Sequence, residues 1–339
     1  MKGFGKAFII LALLLPLLFG SPVQAAHVVN LKTVTVTGVQ PGPGLWKVSR
    51  GDHVLWVLGT LEELPASIEW QAHEVRQDIA QSRQVLGPPT VRIHAEINYY
   101  SKLSFNPAGK QLHDILPAAD YAKWQRLKAL YIKDDDHIDS HRPIFAAIKL
   151  YLAALDQADL SGEVIGPVIR EAMQQGHAKW TPVIYHAQVK DPADPIRNFD
   201  LTQVADLHCF EQTLNHLQGD IELMRARANA WAYGDLDQLS QLPMSDQLDV
   251  CRAAIAESGA ARELSVDELR TAMQGVWVAA ASQALDTNPV SFALLPMGDL
   301  LGPGNYLAPL QAQGDRVELP DGLTPPEQMP PASASSARQ

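Results

Sequence analysis

Two stretches decide how this chain folds. The first is Leu45-Trp46-Lys47-Val48 followed by His53-Val54-Leu55-Trp56-Val57-Leu58-Gly59-Thr60. The second, far away in sequence, is Ser291-Phe292-Ala293-Leu294-Leu295-Pro296-Met297-Gly298-Asp299-Leu300-Leu301-Gly302. Each is a short apolar run of strand-forming residues that stops at a small-residue turn and then meets an acid, Glu62 or Asp299. Ser49-Arg50-Gly51-Asp52 sits between the two early runs, so the pattern predicts a β-hairpin with a tight loop. Phe292 to Pro296 reads as the late strand.

Outward from the hairpin, Thr33-Val34-Thr35-Val36-Thr37 alternates β-formers and predicts another strand, while Gly38 to Gly44 mixes glycine with proline and reads as a spacer. Proline also removes the amides that a phosphate cradle requires. Ala66 to Ser82 carries Ile68, Ala72, Val75 and Ile79 at helical spacing. Gln84-Val85-Leu86 starts a strand that Gly87-Pro88-Pro89 interrupts and Thr90 to Ile97 resumes. From Ala119 to Leu285 the chain is mostly helical, with helices expected over Ala119–Leu130, Pro143–Gln157, Val164–Gln175, Val204–Trp231, Ser245–Ser258 and Ser265–Leu285. Thr181 to Gln188 is the one strand expected inside that block. Asn305 to Gln313 predicts a short helix and Arg316 to Leu319 a last strand. Strands at both ends and helices between them predict an α/β (α+β) fold: one mixed sheet, capped by a helical insertion over residues 119–285.

The termini and the charge bound the compartment and the partners. Lys2 and Lys6 precede an apolar run from Ala7 to Phe19, and Val23-Gln24-Ala25 has small residues where a signal peptidase reads. Residues 1–25 are therefore expected to be a signal peptide, residues 26–319 the folded domain, and the protein periplasmic or secreted, with no membrane span in the mature chain. Residues 320–339, rich in Pro, Ser, Ala and Gln, cannot supply a core and are expected to be disordered. The formal charge is −11, and loss of Lys2 and Lys6 makes it −13 (−11 − 2). Such a chain repels nucleic acid and anionic lipid heads. Cys209 and Cys251 are the only cysteines. In an oxidising compartment they suit a disulfide, and two buried thiols are the competing reading.

The resemblance that these segments carry is to the TraB/GumN family, which also contains the Tiki metalloproteases. It covers Leu45 to Pro320. Ala230-Trp231-Ala232-Tyr233-Gly234-Asp235-Leu236 resembles the family's helix-ending W-x-x-G-D segment, and Asn305 to Leu310 with Gly314 to Val317 resembles its terminal element. The resemblance implies a metal-dependent peptidase or hydrolase ancestry and a TraB/Tiki-like fold. It also implies that the ligand positions are altered. The first family histidine falls on Glu62, the family carboxylate on Gly87, the second histidine on Asp299, and a late family arginine on Arg270.

Carboxylates in place of imidazoles would steer a surviving site toward Mg²⁺, Ca²⁺ or Mn²⁺. The favoured reading is that Glu62 and Asp299 face water near turns and hold no metal. His137 and His141, four apart, would share a helical face and could hold a metal, but Pro143 is better read as the first turn of the next helix, with Asp139 or Ser140 capping it. No G-x-S-x-G occurs, so a serine nucleophile elbow is absent. The seven tryptophans read as core rather than a sugar-stacking platform. The leading expectation is a catalytically degenerate protein that binds a peptide or polymer in the ancestral cleft. A hydrolase using Glu62 and Asp299 and a structural partner in envelope or exopolysaccharide machinery are the alternatives.

Overall fold

The hairpin forms as its alternation requires. β1 (Leu45–Arg50) and β2 (His53–Thr60) pair antiparallel from Leu45↔Leu58 to Arg50↔His53. Their two-residue loop turns at Gly51, whose φ of 58° suits glycine and matches the twist of the flanking strands. The late strand, β5 (Val290–Pro296), lies parallel to β2, with Val54 opposite Val290 and Thr60 opposite Pro296. The two decisive stretches are thus neighbours, in register, and end on the same edge.

This computed structural model describes residues 42–93, 104–106, 109–133, 135, 137–160, 162–187, 203–244, 251, 266–302 and 304–320. The segment expected to be a signal peptide, the strand expected over Thr33–Thr37, most of the helix expected over Ser245–Ser258 and the tail beyond Pro320 lie outside the described residues.

α1 (His73–Gln81) carries the chain from β2 to β3 (Gln84–Ile93). The expected helix from Ala66 begins seven residues late. The stretch from Ala66 to Ala72 turns on itself, with the Ile68 amide donating to the Pro65 carbonyl at 3.0 Å. β3 runs parallel to β5 through Val85 and Leu86, and parallel to β4 (Lys179–Ala187) along its length. Gly87-Pro88-Pro89 does not break the strand as expected. It makes a register shift between Leu86 and Pro89, because two prolines cannot donate to a ladder and the strand bulges past them. β6 (Arg316–Glu318) pairs antiparallel with β1 and completes a six-stranded mixed sheet ordered β4-β3-β5-β2-β1-β6.

Burial explains the layering. In β5 the successive residues Ser291, Phe292, Ala293, Leu294 and Leu295 are all buried, which demands cover on both faces. α7 (Val266–Thr287) supplies part of it along β2, β3 and β4, burying Trp277, Ala281, Ala284 and Leu285. α1 packs on β5 and against α4 (Ile165–Gly176).

A second apolar core belongs to the helical insertion. α2 (Ala118–Tyr131), α3 (Pro143–Gln157) and the first half of α5 (Gln203–Ala232) bury Trp124, Leu150, Tyr151, Phe210 and Leu217 against one another. Cys209 of α5 and Cys251 are joined in a disulfide within this cluster. α5 serves both cores. At 30 residues it is about 45 Å long at 1.5 Å per residue. Its far end places Ala228, Ala230 and Trp231 in the sheet core.

The first turn of α3 takes its partner from another helix. Neither Asp139 nor Ser140 caps it as expected. Asp206 of α5 accepts from the Ile144 amide at 2.6 Å and from Arg142 Nε at 3.0 Å. Asp139 instead accepts from Trp124 Nε1 at 2.7 Å and from Lys128 Nζ at 2.9 Å. Among the described residues no helix is long and apolar enough to cross a membrane.

Candidate functional site

The two turns do more than share an edge. Gly59 lies under α8 (Met297–Leu301), the helix that begins directly after β5. A Cβ at Gly59 would stand 2.5 Å from Met297 Cε and 3.1 Å from Leu300 Cδ1, so a bare backbone is what lets the second turn seat on the first strand. Trp231 reaches the same point. Its buried indole donates from Nε1 to the Gly59 carbonyl at 2.7 Å, and its ring lies 5.1 Å from that of Trp70. α5 is followed by a turn at Gly234, whose φ is 67°, and Asp235 caps α6 (Leu236–Gln241) by accepting from the Gln238 amide. The W-x-x-G-D segment is therefore the brace of the first turn.

Beside these turns, where β2 and β5 end and alongside the middle of β3 and the start of β4, lies a cleft of about 1110 Å³. Leu294, Pro88 and Trp180 of the sheet and Ile165, Ile169 and Met173 of α4 line it. Glu62, Glu163 and Arg170 stand among its lining as the charged groups. The crevice outside the carboxyl ends of parallel strands is the usual ligand position in open α/β sheets.

Glu62, Asp299 and Gly87, the positions onto which the resemblance would carry the family's ligands, have separate surroundings. Glu62 is exposed and lines the cleft. Asp299, only partly exposed, does not line it and instead belongs with Arg270 and Tyr306. Burial pushes its carboxyl up to about 6, with the Arg270 guanidinium pulling in the opposite direction. Burial also pushes the Tyr306 hydroxyl up to about 12, and the Asp299 charge adds to that. The Tyr306 amide donates to the Asp299 carbonyl at 2.9 Å, and its ring meets Trp277 edge-on at 6.0 Å. Gly87 is buried, and a Cβ there would lie 2.7 Å from Trp180 Cζ2. Of the two acidic tips, which border neighbouring turns, only Glu62 lines this cleft.

The divalent metal that the resemblance implies does not fit this donor set. A site needs several convergent ligands. Glu62 stands in the cleft, Asp299 faces a guanidinium, and Gly87 has no donor and no room for one. Among the described residues no group of three or more His, Cys, Asp or Glu side chains is gathered to hold an ion. His137 and His141 do not share a helical face either, since a short 3-10 turn (Ile138–Ser140) separates them and His141 is extended. His141 Nε2 lies 2.8 Å from Lys149 Nζ and Nδ1 lies 3.2 Å from the Ser104 carbonyl. Burial and then Lys149 push its pKa down, so the neutral ring accepts from the ammonium.

Two residues of this region were not legible as site residues beforehand. Trp180 is 42% exposed, unlike Trp46, Trp124, Trp231 and Trp277, which are fully buried. The signal was Pro182 two residues later, because proline inside a strand marks a sheet edge, where one side-chain face stands open. Tyr306 had no local signal. Its role comes from α8 and α7 meeting.

A mixed sheet with interlocked glycine turns, braced by a helix-end tryptophan, defines an α/β protein with a crevice at the carboxyl ends of the parallel strands β2 and β5. The chain belongs to the TraB/PrgY/gumN family, whose sequence model matches residues 44–319. No curated protein and no solved structure matches it.

Proposed function

We propose that this protein is a catalytically degenerate member of its family that is exported and holds a peptide or polymer segment in the cleft without hydrolysing it. The observation that carries this reading is the cleft itself, about 1110 Å³ and walled largely by apolar side chains, beside ligand positions that now read Glu62, Gly87 and Asp299. Ligand pockets run to roughly 300–1,000 Å³, so a cleft of this size has room for a short peptide or oligomer segment. The disulfide between Cys209 and Cys251 supports an oxidising, extracytoplasmic setting. The acidic charge of the chain argues against nucleic acid as the polymer.

The test is a cleavage assay on a mixed peptide library, with the protein supplemented in turn with Zn²⁺, Mn²⁺ and Mg²⁺. No cleavage above a protein-free control is expected. Cleavage that disappears in the Glu62→Ala, Asp299→Ala double variant would show a working hydrolase and end this reading.

A further inference from the structure

Gly87 and Trp180 form a single device. The indole edge, Cζ2 and Cη2, lies where a side chain at position 87 would begin, at 2.7 and 3.2 Å from an ideal Cβ. A side chain there and the ring in its present place exclude each other. The consequence is an aromatic wall in the cleft, still 42% exposed on an otherwise folded surface. Ile169 and Met173 of α4 line the same cleft, and Leu64 and Leu294 extend the apolar lining. A sugar would turn hydroxyls against these aliphatic walls and leave them without partners, at a cost each time. An apolar side chain loses nothing there and gains burial on both sides.

The charged groups set the other half of the specificity. Glu62 and Glu163 are exposed and line the cleft, and Arg170 lies 3.9 Å from Glu163, so the ion pair leaves an excess of negative charge along the lining. The chain as a whole is acidic, at −11. That combination favours a cation next to the apolar anchor and steers it in from a distance.

We propose that Trp180 is the anchor residue of the cleft and that its ligand is an extended peptide segment in which an apolar or aromatic side chain is flanked by lysine or arginine. This rests on the binding reading above and names the ligand class. Trp180 packs the anchor side chain between its ring and α4, and Glu62 with Glu163 receive the flanking cations.

Isothermal titration calorimetry with four probes tests it: an acetylated, amidated hexapeptide alternating leucine or phenylalanine with lysine, the same peptide with glutamate for lysine, a serine–lysine peptide, and a neutral hexasaccharide. The lysine–leucine–phenylalanine peptide is expected to bind and the other three to bind at least about tenfold more weakly. A hot-spot truncation of about 1.4 kcal/mol corresponds to that tenfold change, so Trp180→Ala should weaken the first peptide by about tenfold or more while Trp180→Phe keeps most of the affinity. Gly87→Ala should weaken binding too, by forcing the ring aside, and serves if Trp180→Ala does not fold. Glu62→Gln with Glu163→Gln should cost about threefold to tenfold and flatten the salt dependence.

Equal binding of the glutamate peptide, or unchanged affinity in Trp180→Ala and Gly87→Ala, overturns the proposal. Binding of the hexasaccharide alone overturns it but leaves a polymer-binding cleft. Cleavage of the bound peptide overturns the degenerate reading and leaves the Trp180 contact standing. Binding of none of the four overturns the proposal outright.

Discussion

Replacing Asp299 by asparagine should stabilise the protein at neutral pH and leave it unchanged in acid. Burial raises the Asp299 carboxyl from 3.8 to about 6, only partly offset by Arg270. At about 1.36 kcal/mol for each pH unit between the folded and unfolded values, the ceiling on that difference is about 3 kcal/mol. Asp299 keeps part of its surface in water, and solvent screening brings the expected effect down to about 1–2 kcal/mol. The sign follows from which state ionises first. Below pH 3.8 the group is protonated in both states and contributes its full stability. As pH rises, the unfolded chain loses the proton first, and the contribution is gone once pH passes about 6. Asparagine mimics the protonated acid and cannot ionise. Urea unfolding of the two proteins at about pH 3 and about pH 7.5 should therefore give matching stabilities in acid and a gain of about 1–2 kcal/mol for Asp299→Asn at the higher pH. Asp78, also raised to about 6 by burial and by Glu74, titrates in the same window but is common to both proteins and cancels in the difference. Adding Arg270→Ala to both proteins should widen the gap between them, since the guanidinium is what holds the carboxyl down. An Asp299→Asn variant that tracks the wild type at both pH values, or that is less stable at the higher one, would refute a buried, desolvated Asp299.

Three further outcomes follow from the packing. Trp231→Phe removes the indole donor from the Gly59 carbonyl in a fully buried setting and should cost about 1–3 kcal/mol in urea unfolding, with a matching loss of affinity for any cleft ligand. Arg50 grips Asp315 through Nε at 2.7 Å and through Nη2 at 2.7 Å, and the Asp315 side chain is only 2% exposed. Arg50→Ala strands that carboxylate and should cost about 3–5 kcal/mol in the same unfolding assay, and lysine should not restore it because it lacks the two-pronged geometry. Replacing Cys209 and Cys251 by alanine opens a loop of 42 residues; chain entropy puts the loss near roughly 4 kcal/mol in thermal or urea unfolding, and an unchanged midpoint would show that the pair contributes nothing.

The sheet was legible because its central strands carry their own instructions. Trp46 and Val48 alternate inward in β1, and the apolar run of β5 is buried on both faces, so hydrophobic pattern alone marks both strands. Their adjacency followed from the order of elements, strands at both chain ends with helices between, rather than from either run alone. What escaped was decided by distant partners. The α3 first turn is satisfied by Asp206, 62 residues on from Ile144, and no local cap pattern announces that. The Gly87-Pro88-Pro89 stretch reads as a break because proline removes ladder donors, yet β4 pairs with the strand on both sides of the bulge.

The site was half legible for a geometric reason. Thr60 and Pro296 are opposite each other, but Glu62 follows its strand through an irregular turn while Asp299 sits in the first turn of α8. Side-chain direction is set by the local turn in one case and by the helix in the other, so equivalent tips point their acids to different places. Trp180 escaped because an exposed and a buried tryptophan look alike in sequence until the edge strand is known.

Metal content decides between a retired site and a working one. Elemental analysis by plasma mass spectrometry, on protein purified without chelator, loaded with Zn²⁺, Mn²⁺ or Mg²⁺ and then dialysed free of excess ion, should find each far below one equivalent. Near-stoichiometric metal in the wild type that is lost in Glu62→Ala and in Asp299→Ala would contradict this, since it would place both carboxylates on one ion.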